Sequence, residues 1–124
     1  MMANLKKVVN ATVMIEFEDY KGKLNGLRQP LTDLGAALKL DEARNEVEKL
    51  EEESAQEGFW NDTENSQKVQ KRIKTLKNKL EKYEKLSTQW EDMMTICEMA
   101  IEEDDDSMLG ELQSEFAAFE ESLE

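Results

Sequence analysis

Residues 69–101 read VQKRIKTLKNKLEKYEKLSTQWEDMMTICEMAI. Within them Val69, Ile73, Leu76, Leu80, Tyr83, Ser87, Trp90, Met94, Cys97 and Ile101 follow one another in alternating steps of four and three. That rhythm lays an apolar seam along one side of an α-helix, as in a coiled coil or an antiparallel bundle. Ser87 is the one polar member, and Leu86 beside it can cover the gap. Taken from Thr63 to Glu103, the helix would be roughly 60 Å long at about 1.5 Å per residue.

Working outward, the same rhythm recurs on both sides. Phe17, Tyr20, Leu24, Leu27, Leu31, Leu34 and Leu38 form an earlier stripe, with Pro30 inside it. A proline removes one backbone donor and crowds the preceding turn, so a kink or a division near Gln29 is predicted. Asp41 reads as an N-cap, and Leu40, Ala43, Val47, Leu50 and Ser54 carry the pattern to Gln56. Downstream, Asp104-Asp105-Asp106-Ser107 breaks the long helix, and Leu109, Leu112, Phe116, Phe119 and Leu123 mark a last one. Four stripes joined by short polar turns predict an all-α fold, an elongated antiparallel helical bundle or coiled coil of three to four helices. Met1 to Val13 holds lysines and apolar residues, but Asn4, Asn10 and Thr12 break any signal-peptide core. Residues 1–13 are therefore expected to be a disordered or non-native extension, and residues 14–124 the helical domain.

Composition sets further bounds. With 124 residues the chain is one domain of ordinary size, 39% apolar and 36% charged, which favours long, solvent-laced helices. No run of about 18 apolar residues is present to span a membrane. Cys97 is the single cysteine, so no internal disulfide or cysteine-pair zinc site can form, in keeping with a reducing cytoplasm. The net charge of −13 is unevenly spread: residues 91–124 carry acids and no Lys or Arg, so the first 90 residues balance to zero.

Catalysis finds no support, because the chain has no histidine and no nucleophile paired with a usual base. No cofactor is expected. An EF-hand loop counted from Asp104 would put Met108 and Leu109 where a ligand and the turn glycine belong, so the acids read as a capping turn. Cys97 falls on the apolar stripe and reads as core, and Met93, Met94 and Met99 read as core and groove filling. Lys68, Lys71, Arg72, Lys74, Lys77, Lys79, Lys82 and Lys85 form a basic stretch against Glu81 and Glu84. It admits two readings: neutralisation by acids of a partner helix such as Met108 to Glu124, or contact with RNA phosphates. Base-specific recognition has no support, since no aromatic or amide pattern accompanies the lysines.

The remaining feature is the turn Gly58-Phe59-Trp60-Asn61-Asp62 between two polar helices. Gly58 suits a helix C′ position, and Asn61 or Asp62 can cap the next helix. Phe59 and Trp60 together read as a hydrophobic plug over the end of the bundle, which predicts that Trp60→Ala lowers the melting temperature. Leu40-Asp41, Val47-Glu48-Lys49-Leu50-Glu51 and the run from Gly58 to Val69 resemble the N-terminal helical domain of the bacterial peptide chain release factor 2 family. The family commonly carries Pro where this chain has Glu57.

The resemblance implies the N-terminal accessory domain of a class I translation termination factor acting at UGA and UAA codons. In such a factor this domain helps position the protein on the ribosome, near the stalk-base protein and ribosomal RNA, in the cytoplasm. Codon reading and peptidyl-tRNA hydrolysis rest on Ser-Pro-Phe and Gly-Gly-Gln motifs in other domains, and this chain contains neither. The chain itself is therefore expected not to be an enzyme, and to bind neither DNA nor membrane. Self-association of the isolated domain through an uncovered seam is a further expectation. The competing reading is a stand-alone coiled-coil adaptor or assembly protein that grips a partner through its seams, which gives no reason for the Phe-Trp turn.

Overall fold

The computed structural model describes residues 2–123, with side chains from residue 11 onward. Among these residues the fold is all-α, with four helices and no strands: α1 (Met2–Ala37), α2 (Leu40–Ser54), α3 (Thr63–Glu103) and α4 (Leu109–Leu123). A single 3-10 turn, Phe59–Asn61, lies between α2 and α3. The expected extension over residues 1–13 falls mostly on side chains outside the described residues, while the helical backbone of α1 is drawn from Met2.

Two local expectations need adjustment. Of the kink or division expected near Gln29, the division does not occur: the first helix runs on through Pro30 to Ala37. Pro30 and Gly26, whose carbonyl loses its partner, are both exposed, so water can take the freed oxygen and the helix continues. The break comes instead at Lys39, held in the left-handed region at φ 54°. Asp41 is consequently not the N-cap of α2. It sits inside the first turn, where its carboxylate accepts from Arg44 Nη1 at 3.1 Å and lies near the positive end of the helix dipole.

The chain folds as two compact units, one of residues up to Thr32 together with those from Leu86 on, the other Asp33–Lys85. In the first, the stripe predictions hold closely. Phe17, Leu24 and Leu31 of α1, Trp90, Met93, Met94, Cys97 and Ala100 of α3, and Leu112, Phe116 and Phe119 of α4 are buried. Met99, by contrast, is 52% exposed and fills no groove, because it falls off the seam. The rings of Tyr20 and Phe116 meet edge to face at 5.1 Å, with the Lys23 ammonium over both. Trp90 is fixed in direction as well as buried: its indole N–H donates to the Leu24 carbonyl at 2.6 Å, and the Arg28 guanidinium stacks 5.0 Å from its ring.

The turn between α3 and α4 has a defined geometry. Asp104 takes the left-handed conformation at φ 54°, and the Asp105 N–H returns to the Ala100 carbonyl at 3.0 Å. This is the six-to-one bond of a Schellman ending, made with Asp where glycine is usual. The Asp105 carboxylate accepts from the Ser107 N–H at 2.9 Å, and those bonds hold its pKa below the usual carboxylate value. The acids thus act as turn formers. Among the described residues no group of three or more His, Cys, Asp or Glu is arranged to hold a metal ion, and no helix is long and apolar enough to cross a membrane.

Burial pushes the Cys97 thiol up to about 11, against a smaller opposing effect of Lys21, so it stays protonated and packs as a small apolar group. Glu115 on α4 is raised above its ordinary value of 4.5, first by desolvation and then by the neighbouring Glu111 and Asp92. A raised carboxyl favours the fold while protonated; that contribution is complete below 4.5 and lost as pH rises through the folded-state value. At neutral pH the charged Glu115 therefore weakens its unit. Glu115→Gln is expected to raise the melting temperature at pH 7, with the gain gone below about pH 4. Equal melting of the two proteins at pH 7 would count against this account.

Candidate functional site

Both features that the sequence singles out lie within the unit Asp33–Lys85. Its buried residues are Leu40, Ala43 and Val47 of α2, Phe59 of the turn, and Val69 and Leu76 of α3; Ala43, Val47 and Leu76 form one cluster with Leu50 and Leu80 packed against it. Gly35, near the end of α1, is a contact the stripe reading missed. A Cβ there would stand 2.8 Å from the Tyr83 ring, so the helix backbone and the aromatic face approach as closely as only glycine permits. Sequence spacing marked Leu34 and Leu38 but offered no signal for Gly35 beyond its being glycine.

The turn is built stepwise from the end of α2. The Ala55 N–H reaches the Glu51 and Glu52 carbonyls at 3.2 Å, and Gln56 N–H returns to Glu53 at 3.1 Å. Gly58 then takes φ 84°, a left-handed conformation that explains glycine here. Its place differs from expectation: α2 ends at Ser54 with Ala55 as its C-cap, so Gly58 opens the 3-10 turn and is not C′. Asp62 is the cap of α3, its carboxylate accepting from the Asn65 N–H at 3.1 Å while its carbonyl takes the Ser66 N–H at 2.9 Å. Ser66, the one buried polar residue among the described residues, is satisfied by donating from Oγ to the Thr63 carbonyl at 2.9 Å.

The aromatic pair divides. Phe59 is buried at 8% exposure, and the 3-10 turn that carries it packs on α2. Trp60 is 61% exposed and touches Phe59 edge to face at 5.1 Å. The expectation that both rings form a lid is corrected for Trp60. Adjacent residues of a tight turn point in different directions, and only one of the two can enter the core. Asn61 is exposed beside it.

The basic stretch also divides. Arg72 forks onto Glu46 with contacts of 2.6 and 3.4 Å, and that bond and charge raise its pKa. Lys77 Nζ stands 2.7 Å from Glu51. The neutralising acids are therefore on α2, where the sequence reading looked to residues 108–124. Part of the cause is that Glu51, Glu52 and Glu53 crowd the negative C-terminal end of α2, which has no basic residue in its last turn. Lys68, Lys71, Lys74, Lys82 and Lys85 are exposed, Lys79 is half-buried, and none of the six forms an ion pair among the described residues. Two shallow concavities flank this face: one of about 140 Å³ beside Lys39, Glu46 and Arg72, the other of about 370 Å³ lined by Leu38, Thr75, Asn78, Lys79 and Lys82.

Residues 43–124 match the family model described as the PCRF domain. The chain is 30% identical over 110 residues to peptide chain release factor 2 of Petrotoga mobilis, covering 89% of this chain and 29% of that protein. It is 32% identical over 106 residues to that of Streptomyces avermitilis, covering 86% and 29%. With the Borreliella burgdorferi factor it shares 38% over 85 residues, covering 68% and 24%. The chain thus spans three tenths or less of the length of these relatives. No solved structure matches it.

The divided aromatic pair gives a sharp mutational test. Phe59→Ala should cost about 3 kcal/mol in chemical denaturation, and Gly58→Ala about 1 kcal/mol from the left-handed backbone. Trp60→Ala should fall within about 0.5 kcal/mol of the parent. A Trp60 variant as unstable as the Phe59 variant would restore the two-ring plug.

Proposed function

Because this chain belongs to the PCRF domain family, we propose that it serves as the N-terminal accessory domain of a bacterial translation termination factor of the release factor 2 kind. In this reading residues 14–124 are the domain, and it works in the cytoplasm by helping to seat the factor on the ribosome near the stalk base. Stop-codon reading at UGA and UAA and peptidyl-tRNA hydrolysis belong to other domains of such a factor. The observation that carries the proposal is the family match over residues 43–124, together with similarity that extends over most of this chain. The chemistry of the chain is compatible with it: a helical scaffold with no histidine, an inert Cys97 and two surface features on one unit. The exposed Trp60 is available to a partner without disturbing the core, because Phe59 alone of the pair is buried.

Two measurements test this. Supplied alone to ribosomes stalled at a stop codon with peptidyl-tRNA, the chain should release no peptide; measurable release refutes an accessory role. Grafted in place of the N-terminal domain of a full-length release factor 2, residues 14–124 should support release within a few fold of the parent rate. A graft that folds but behaves like a factor lacking the domain would overturn the proposal.

A further inference from the structure

On α3, Lys68, Lys71, Thr75, Asn78, Lys82 and Lys85 succeed one another in steps of three and four. They therefore share one helical face, extending for about 25 Å at about 1.5 Å per residue. No acid lies on this row; Glu81 and Glu84 fall one position to the side. All six residues are exposed. The cations that do find internal partners, Arg72 and Lys77, are off the row and are spent on Glu46 and Glu51. The four lysines on the row form no ion pair among the described residues. At its middle the row borders the concavity of about 370 Å³, where Leu38 supplies an apolar surface and Lys79 and Lys82 supply charge.

From this arrangement we propose that the row is a track for single-stranded RNA, with one nucleotide seated in the Leu38 concavity. The lysines contact successive phosphates, the Asn78 amide offers a hydrogen-bond donor and acceptor, and the flat apolar side of a base or ribose covers Leu38. Thr75 contributes an acceptor oxygen, since its hydroxyl already donates to the Lys71 carbonyl at 3.0 Å. The concavity, about 370 Å³ and open to solvent, leaves room beside Leu38 for one such group. A row of ammonium groups grips a phosphate backbone without sequence preference, and here Leu38 stands where an aromatic platform stacks the base in other single-strand tracks. RNA is chosen over other polyanions because the inference rests on the ribosomal reading above. Of the eight basic residues that the sequence marked, it assigns the contact to those on or beside this face and withdraws Arg72 and Lys77.

The test is fluorescence anisotropy of the full chain with a 5′-labelled 12-nucleotide uridine oligomer, titrated with KCl from 50 mM upward. Lys71→Glu/Lys82→Glu should weaken binding at least about tenfold and flatten the salt dependence by about 0.7 per lysine lost. Arg44→Glu/Lys49→Glu changes net charge equally on α2 and should weaken it less than about threefold; equal loss in both would mean bulk charge and overturn the track. Leu38→Ala should weaken binding about threefold with the salt slope unchanged; no effect, with helicity unchanged, removes the seated nucleotide. A 12-base-pair RNA duplex should bind more weakly than the single strand, and equal binding would overturn the single-strand assignment. Binding to phosphatidylserine vesicles as tight as to the oligomer would reassign the row to a membrane surface. Failure here leaves the graft result standing, and a failed graft with intact RNA binding leaves the track standing.

Discussion

Burial of the three-four seam on α3 is the constraint on which both units of the molecule depend. An isolated helix of this composition would gain little from propensity alone, since most helical stability in proteins comes from packing one apolar face. The seam supplies Val69 and Leu76 to the unit Asp33–Lys85, and Trp90, Met94 and Cys97 to the other. Because it contains one polar residue in ten, any substitution that moves a charge onto it opposes burial in whichever unit holds that position. Trp90 adds direction to that burial: the indole N–H on the Leu24 carbonyl fixes how α3 meets α1 inside the first unit.

A second constraint is that every helix must end without orphaned backbone groups, and this chain meets it with unusual residues. Lys39 and Asp104 both sit at φ 54°, a conformation that costs an ordinary side chain about 1 kcal/mol or more. Each is tolerated where returning hydrogen bonds define the turn: the Lys39 N–H to Ala36 at 3.1 Å, and the Asp105 N–H to Ala100 at 3.0 Å. Only the turn after α2 uses glycine, at Gly58. That turn must also insert Phe59, so strain that a polar turn can carry would there compete with core packing.

These details explain what the sequence could and could not convey. Apolar period reveals which face of a helix is dry, so the stripes through Phe17, Val69 and Leu112 were legible, as were the Asp62 cap and the break after Glu103. Period says nothing about the neighbour of that face. Residues 108–124 are therefore as good a source of partner acids by sequence as α2, whereas in the structure Glu46 and Glu51 hold Arg72 and Lys77. The proline rule describes the lost bond without saying whether solvent can satisfy the freed carbonyl, so the helix can continue past Pro30. Trp60 and Phe59 look alike by sequence because hydrophobicity is a property of a residue, whereas direction, which leaves Trp60 exposed, is a property of the turn.

The same distinction governs how charge on α3 should be understood. Counted along the chain, eight basic residues against two acids look like one stripe. Sorted by geometry, they are two populations with different work. Arg72 and Lys77 answer acids on α2, and as exposed, solvent-screened pairs they add little to stability. Internal pairing weakens their attraction for any outside anion. The lysines at 68, 71, 82 and 85 carry no such obligation and share a face that excludes acids, so their field adds along one direction. A protein with a net charge of −13 can thus present a locally positive edge, because screening confines each charge to about 10 Å of its surroundings. Partner choice follows that local field, and the acids concentrated beyond residue 90 bear on solubility more than on what this edge meets.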